Sequence, residues 1–196
     1  MSGVAFEWGK NLLAVMGTGL SVKLMDDFLD EERDGIAGIR NWAQLLGRSV
    51  MAYSLLALAV ATALNPAWAV SLFLASYAVG MAHEHGERLP SGLKSYQEAM
   101  LALAAGWFLF GPTEMVTSLA LVIFLQAVDD LRDWRQDREL GRQSLVTSLG
   151  PMESVLLAGI MLVLSGSLDP PKTLVVSGAG VLFTMPLQLL KGWRQN

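Results

Sequence analysis

The chain has 196 residues, of which 53% are hydrophobic and only 16% charged, with a net charge of −4. A soluble domain carries about 25% charged residues, so an ordinary soluble domain is excluded as the expectation, while the length suits one domain. The absence of cysteine excludes disulfides, thiol catalysis and zinc–thiolate sites.

The opening "MSGVAFEWGK" lacks a basic n-region and no A-x-A-type cleavage site follows it, so no signal peptide is expected. The apolar run "NLLAVMGTGLSV" then leads into "LMDDFLDEERDG", Leu24 to Gly35, which is dense in carboxylates. Together they predict a first helix over 8–30.

Ser49 to Ala82 contains no charged residue and no histidine. It is long enough for two membrane spans of about 20 residues each. "NPAW", Asn65 to Trp68, divides it by Pro-centred turn chemistry, giving helices over 42–64 and 67–84. "HEH", His83 to His85, reads as an interfacial loop, because histidines at i and i+2 do not share a helix face.

Ala99 to Val128 holds a single charge, Glu114, and is divided by "GPTE", Gly111 to Glu114. Helices are predicted over 95–110 and 114–136, and beyond them over 151–166 and 172–191, separated by "SGSLDPPK". The runs are continuous and Ala/Leu-rich, which favours helices over the alternating strands of a barrel. The expected fold class is all-α, a multi-pass transmembrane helical bundle of about seven helices. It forms a single domain of two pseudo-repeated halves, roughly 8–94 and 95–191. Gly159, Gly178 and Gly180 are expected to mark close helix packing.

Basic residues orient the bundle. With the N-terminus outside, Arg33, Arg40, Arg48, Arg88, Lys94, Arg132, Arg135, Arg138, Arg142, Lys191 and Arg194 all fall inside. Lys10 and Lys172 fall outside. The protein is therefore expected to be integral to the membrane, with both acidic clusters on the cytoplasmic side and the short outer turns serving as connectors.

The second cluster, "AVDDLRDWRQDRELG", follows the first by 103 residues, and Asp26, Asp27, Asp30 and Asp34 align on Asp129, Asp130, Asp133 and Asp137. Each reads D-D-x-x-D-x-x-x-D, with positions i, i+3 and i+7 on one helix face. Each aspartate costs roughly 2.5–3.5 kcal/mol at the centre of a span, so water, cations or a place at the membrane edge must offset it. Carboxylates without imidazole or thiolate suit a hard cation, and Mg²⁺ favours a few carboxylates together with a phosphate-bearing substrate.

These paired motifs resemble those of the UbiA superfamily of intramembrane prenyltransferases. "DDLRDWRQDRELGRQSLVTSLG" is similar to that family's second aspartate motif, and "RLPSGLKSYQEAMLALAAG" to its Pro- and Lys-containing loop. The resemblance covers about Lys10 to Gly150. It implies a helical bundle whose cytoplasmic cavity binds an isoprenyl diphosphate through Mg²⁺. Asp26, Asp27, Asp30 and Asp34 would serve one ion, and Asp129, Asp130, Asp133 and Asp137 the other, with Asp27, Asp30, Asp130 and Asp133 central to catalysis.

Lys23, Lys94 and Arg142 are the candidate diphosphate contacts. Lys23 also reads as a local partner of Asp27, and Lys94 and Arg88 as positive-inside residues. The implied partners are the prenyl diphosphate, an aromatic or lipid acceptor and membrane lipid, and no nucleic acid. Tyr53, Tyr77, Trp107 and Phe108 read as packing or interface anchors, and Gln126 as a polar group facing the cavity.

Three departures are evident. Family members usually have nine helices, Asp26 replaces a typical Asn, and "GIRNWAQ" stands where an "RP" loop is common. The DDxxD start keeps open a terpene cyclase on the same scaffold, in which no separate acceptor is used. A non-catalytic cation conduit or lipid-diphosphate binder is the third alternative.

Overall fold

The structure is a computed structural model that describes residues 2–36, 41–83, 89, 91–140 and 144–180. Among the described residues the chain is all-helical, without strands. Its elements are α1 (Ser2–Leu29), α2 (Glu31–Ile36), α3 (Trp42–Leu46), a 3₁₀ turn (Gly47–Ser49), α4 (Val50–Leu64), α5 (Pro66–His83), α6 (Ser95–Phe110), α7 (Pro112–Leu140), α8 (Leu145–Leu149) and α9 (Pro151–Leu168). A further helix, α10, covers 170–180. The predicted helices correspond to the long elements, with the predicted 42–64 divided into α3, the 3₁₀ turn and α4; α2 and α8 were not predicted, and residues 181–191 of the last predicted helix lie outside the described residues.

Local chemistry sets the breaks. Proline opens α5, α7 and α9, where its missing N–H has no intrahelical partner to lose. Asn65 ends α4, and its Oδ1 accepts the Trp68 N–H at 3.1 Å in the first turn of α5. Asp169 does the same between α9 and α10, accepting the Lys172 N–H at 3.0 Å.

α1 packs on α4, α7 on α9, and α5 lies against α1, α6 and α7. The α1–α4 contact is close because it is built from small residues. A Cβ on Gly17 would stand 3.1 Å from Ala61 Cβ and 3.2 Å from the Ala57 carbonyl, the kind of approach small side chains permit between helices. Ser21 and Ser54 join the same helices, their hydroxyls 3.0 Å apart and both buried. Val15, Leu72, Leu121 and Val176 form the apolar centre where α1, α5, α7 and α10 meet.

The glycine expectation is only partly met. Gly180 does face a neighbour, since a Cβ there would lie 2.5 Å from Leu125 Cδ2, but Gly159 and Gly178 have nothing within 4 Å. The second close approach is instead at Gly106, against Met115. Composition marks a glycine but not the face it occupies.

The larger surprise is Lys172. Expected on an outer connector, it is fully buried. Its ammonium donates to Ser118 Oγ at 2.6 Å, to Ser71 Oγ at 3.1 Å and to Glu114, and sits 5.9 Å from the centre of the Trp68 ring. Three N–H donors meet three acceptors on α5 and α7, which satisfies the ammonium without water. Glu114, the single charge in its apolar run, is the counterion. α5, α7 and α10 are thereby joined near the start of α7. At 1.5 Å per residue Glu114 is roughly 24 Å along the helix from Asp130.

Removing one member of a buried pair leaves an uncompensated charge and costs about 3–5 kcal/mol, whereas replacing both by apolar residues is often near neutral. Glu114→Ala is accordingly expected to lower the thermal unfolding midpoint in detergent strongly. Glu114→Leu combined with Lys172→Met should lower it far less. Equal losses would mean the pair is not coupled.

Candidate functional site at the acidic helix ends

The first cluster sits where α1 stops. Asp26 is exposed, Asp30 half-buried, and Asp27 almost wholly buried, at 4% exposure. Burial of a carboxylate demands partners for both oxygens, and Asp27 has them. Its Oδ2 accepts the backbone N–H of Trp42 at 2.9 Å, and its Oδ1 pairs with Lys23 Nζ at 2.8 Å. Lys23 also lies 3.6 Å from Asp26 Oδ2.

Trp42 is the first residue of α3. Asn41 caps that helix, accepting the Gln44 N–H at 3.0 Å, and its amide donates to the Asp27 carbonyl at 3.0 Å. Gly47, with φ of 55°, ends it. The chain that leaves α1 therefore folds back and fastens onto the last turn of α1.

The second cluster repeats this geometry. Asp130 Oδ2 accepts the backbone N–H of Leu145 at 2.7 Å, and Leu145 is the first residue of α8. Ser144 caps α8 with a reciprocal box, its Oγ accepting the Thr147 N–H at 3.3 Å while its own N–H donates to Thr147 Oγ1 at 2.7 Å. Gly150, with φ of 106°, ends the helix. In both halves the aspartate and its amide partner are 15 residues apart. Aspartate, cap, short helix and terminal glycine each recur 103 residues later.

Lys23 feels the field of Asp129 as well as those of Asp26 and Asp27, which brings the first cluster within electrostatic reach of the second. Asp129 is exposed, and Asp130 and Asp133 are half-buried. The side chains of Asp34 and Asp137, the whole of Arg142 and the side chains of "HEH" lie outside the described residues. Among the described residues, no three carboxylates or histidines are gathered into a metal-binding group. The donor chemistry fits a hard cation, because every candidate ligand is a carboxylate.

Lys94 is exposed at the N-cap of α6, with its ammonium 5.9 Å from the Tyr96 ring centre and its N–H bonded to Gln97 Oε1 at 2.9 Å. Next to it lies a cluster that sequence reasoning missed. Glu98, in the first turn of α6, accepts hydrogen bonds from Tyr77 Oη and Ser91 Oγ, tying the end of α5 to the loop that carries Lys94. Glu98 follows Lys94 within a single helical turn, a weak signal available only if Tyr77 had been placed on the same side. Trp107, Phe108 and Tyr53 are all at least half exposed and face outwards.

Compared with protein-family models, curated protein sequences and solved structures, the chain matches none.

An N-cap of this kind is worth about 1 kcal/mol. Asn41→Ala and Ser144→Ala should each lower stability by about that amount, with faster amide exchange confined to 42–46 and 145–149 respectively. Unchanged exchange there would show that the caps do not hold these helices.

Proposed function

We propose that the chain is a multi-pass membrane enzyme of the UbiA type that ionises an isoprenyl diphosphate and transfers the prenyl group to an acceptor. The observation that carries this reading is the paired acidic helix ends, alike in sequence spacing and in local geometry. The Coulombic influence of Asp129 on Lys23 supports one shared site.

Two helices are long and apolar enough to cross a membrane, Trp42–Leu64 and Pro151–Leu168, and only 17% of each apolar window is buried. A soluble core helix would be mostly buried. Leu55, Leu56, Val60, Ile160 and Val163 are all more than half exposed, while Lys172 and several serines are inside. That inverted distribution suits hydrocarbon as the solvent. The acidic ends would face the cytoplasm, following the basic residues around them.

Asp26, Asp30 and Asp34, with Asp129, Asp133 and Asp137, would hold Mg²⁺, which when bound supplies positive charge to a departing diphosphate. The chain's own residues do the rest. Lys23, paired with Asp26 and Asp27 in the first cluster, offers a cation towards phosphate oxygens. The apolar helix walls hold the prenyl chain and exclude water from the allylic carbon. The bond between that carbon and the diphosphate oxygen breaks with both electrons leaving on oxygen. The acceptor then supplies the electron pair for the new bond and releases a proton.

A cyclase on the same scaffold is the second reading, favoured by Asp26, which makes the first motif DDxxD. There a carbon–carbon double bond of the prenyl chain, or water, supplies the electron pair.

Purified protein in nanodiscs, given geranyl, farnesyl or geranylgeranyl diphosphate, is expected to release pyrophosphate only with Mg²⁺. Losing one group that stabilises developing charge costs on the order of 100–1,000-fold, so Asp30→Ala and Asp133→Ala should each fall by about that much. Full activity in both variants would overturn the assignment. Hydrocarbon or terpene alcohol formed without an acceptor would identify the cyclase.

A further inference from the structure

We infer that Lys23 is a resident counter-ion of the first acidic cluster, one that opposes a lone divalent cation there and turns to the diphosphate when both ligands arrive. The inference deepens the proposed enzymatic reading and rests on it.

The last turn of α1 carries Asp26 and Asp27 and no basic residue. Carboxylates at a helix C-terminus lie against the helix dipole, so this end needs a cation. Lys23, one turn earlier, supplies one. Its ammonium is 2.8 Å from Asp27 Oδ1 and 3.6 Å from Asp26 Oδ2. Lysine before the acid is the less favourable order for a helix pair, so helix stability alone gives little reason for the arrangement. Gln126 stands at the matching position of the second half, and the motif itself therefore does not demand a lysine.

The two carboxylates are not equivalent. Asp27 is buried, and its second oxygen already accepts the Trp42 N–H. The Asp26 side chain is 63% exposed and can meet a ligand, but only within reach of the ammonium. A divalent cation on Asp26 would stand close to a positive charge, and like charges at short range oppose binding.

The Lys23 side chain is itself 43% exposed. Its flexible stem and three donors let the ammonium stay on Asp27 while exchanging Asp26 for a phosphate oxygen. No movement of the main chain is needed. A diphosphate that takes up this charge removes the opposition, so metal and diphosphate favour each other's binding, and the coupling is reciprocal. Asp129 also acts on Lys23 through its charge, which puts the same ammonium in the field of both clusters.

The full chain in nanodiscs is titrated with Mn²⁺ and followed by electron paramagnetic resonance, with empty nanodiscs as the reference. The titration is run without any diphosphate and then with a non-hydrolysable farnesyl diphosphate analogue. Lys23→Gln is expected to raise the affinity for Mn²⁺ alone about tenfold, and the gain should vanish when Asp26→Asn is added. Lys23→Arg keeps the charge and should stay within about threefold of the parent. With the analogue present, Lys23→Gln should bind Mn²⁺ no more tightly than the parent. Gln126→Lys leaves the Lys23–Asp27 pair intact and tests the same effect in reverse. Its affinity for Mn²⁺ alone should fall about tenfold, and the analogue should restore it to within about threefold of the parent.

Unchanged affinity for Mn²⁺ alone in Lys23→Gln would overturn the inference and leave the enzymatic reading standing. Should Lys23→Gln fail to fold, unchanged affinity in Gln126→Lys overturns it in the same way. An equal gain in Lys23→Arg, or a gain that survives Asp26→Asn, would overturn it too, because the ammonium beside Asp26 would not be the cause. A parent protein that binds no Mn²⁺ even with the analogue would overturn both the inference and the reading beneath it.

Discussion

A carboxylate withdrawn from water on an apolar helix must have its oxygens met, and much of the architecture around the two acidic clusters follows from that requirement. Asp27 is met by a backbone amide and by Lys23, Asp130 by a backbone amide. Each of those amides begins a short helix that a polar residue caps and a glycine terminates. The acidic residues are thus part of what turns the chain back from α1 towards α4 and from α7 towards α9.

The opposite end of the bundle meets the same requirement with other chemistry. Lys172, Glu114, Ser71 and Ser118 form a closed polar group within apolar surroundings. Between the two ends the contacts are apolar or small: Gly17 on Ala61, Ser21 on Ser54, and the cluster around Leu121 and Val176. Many leucine, valine and isoleucine side chains are exposed on the outside of the helices. Under the proposed reading the bilayer covers that surface, and the polar chemistry is left at the two ends.

The helices were legible because their signal is long and local, an unbroken apolar run bounded by proline or by Asn–Pro. The motif spacing was equally legible, since a 103-residue offset can be read by aligning the chain on itself. The short helices were not legible as separate elements, although 42–46 fell within the predicted helix 42–64. Five residues such as "WAQLL" or "LVTSL" have no periodicity to read, and their caps, Asn41 and Ser144, only acquire meaning once Asp27 and Asp130 are seen to reach their first amides. The burial of Lys172 was not legible for a related reason. A charge near a turn reads as solvated, and the acceptors that bury it come from two other helices, distant in sequence. The candidate site was visible as a set of residue types. Its internal division, with Asp27 buried and bonded while Asp26 stays exposed, was visible only in three dimensions.

The central claim is that the two acidic clusters serve one ligand. Mn²⁺, a paramagnetic substitute for Mg²⁺, can be titrated into the nanodisc-embedded protein and followed by electron paramagnetic resonance, with and without a non-hydrolysable farnesyl diphosphate analogue. A shared site requires tight Mn²⁺ binding that depends on the analogue and is lost when either Asp30 or Asp133 is replaced by alanine. Binding that ignores the analogue, or that persists at one cluster after the other is removed, would show two independent acidic surfaces and contradict the claim.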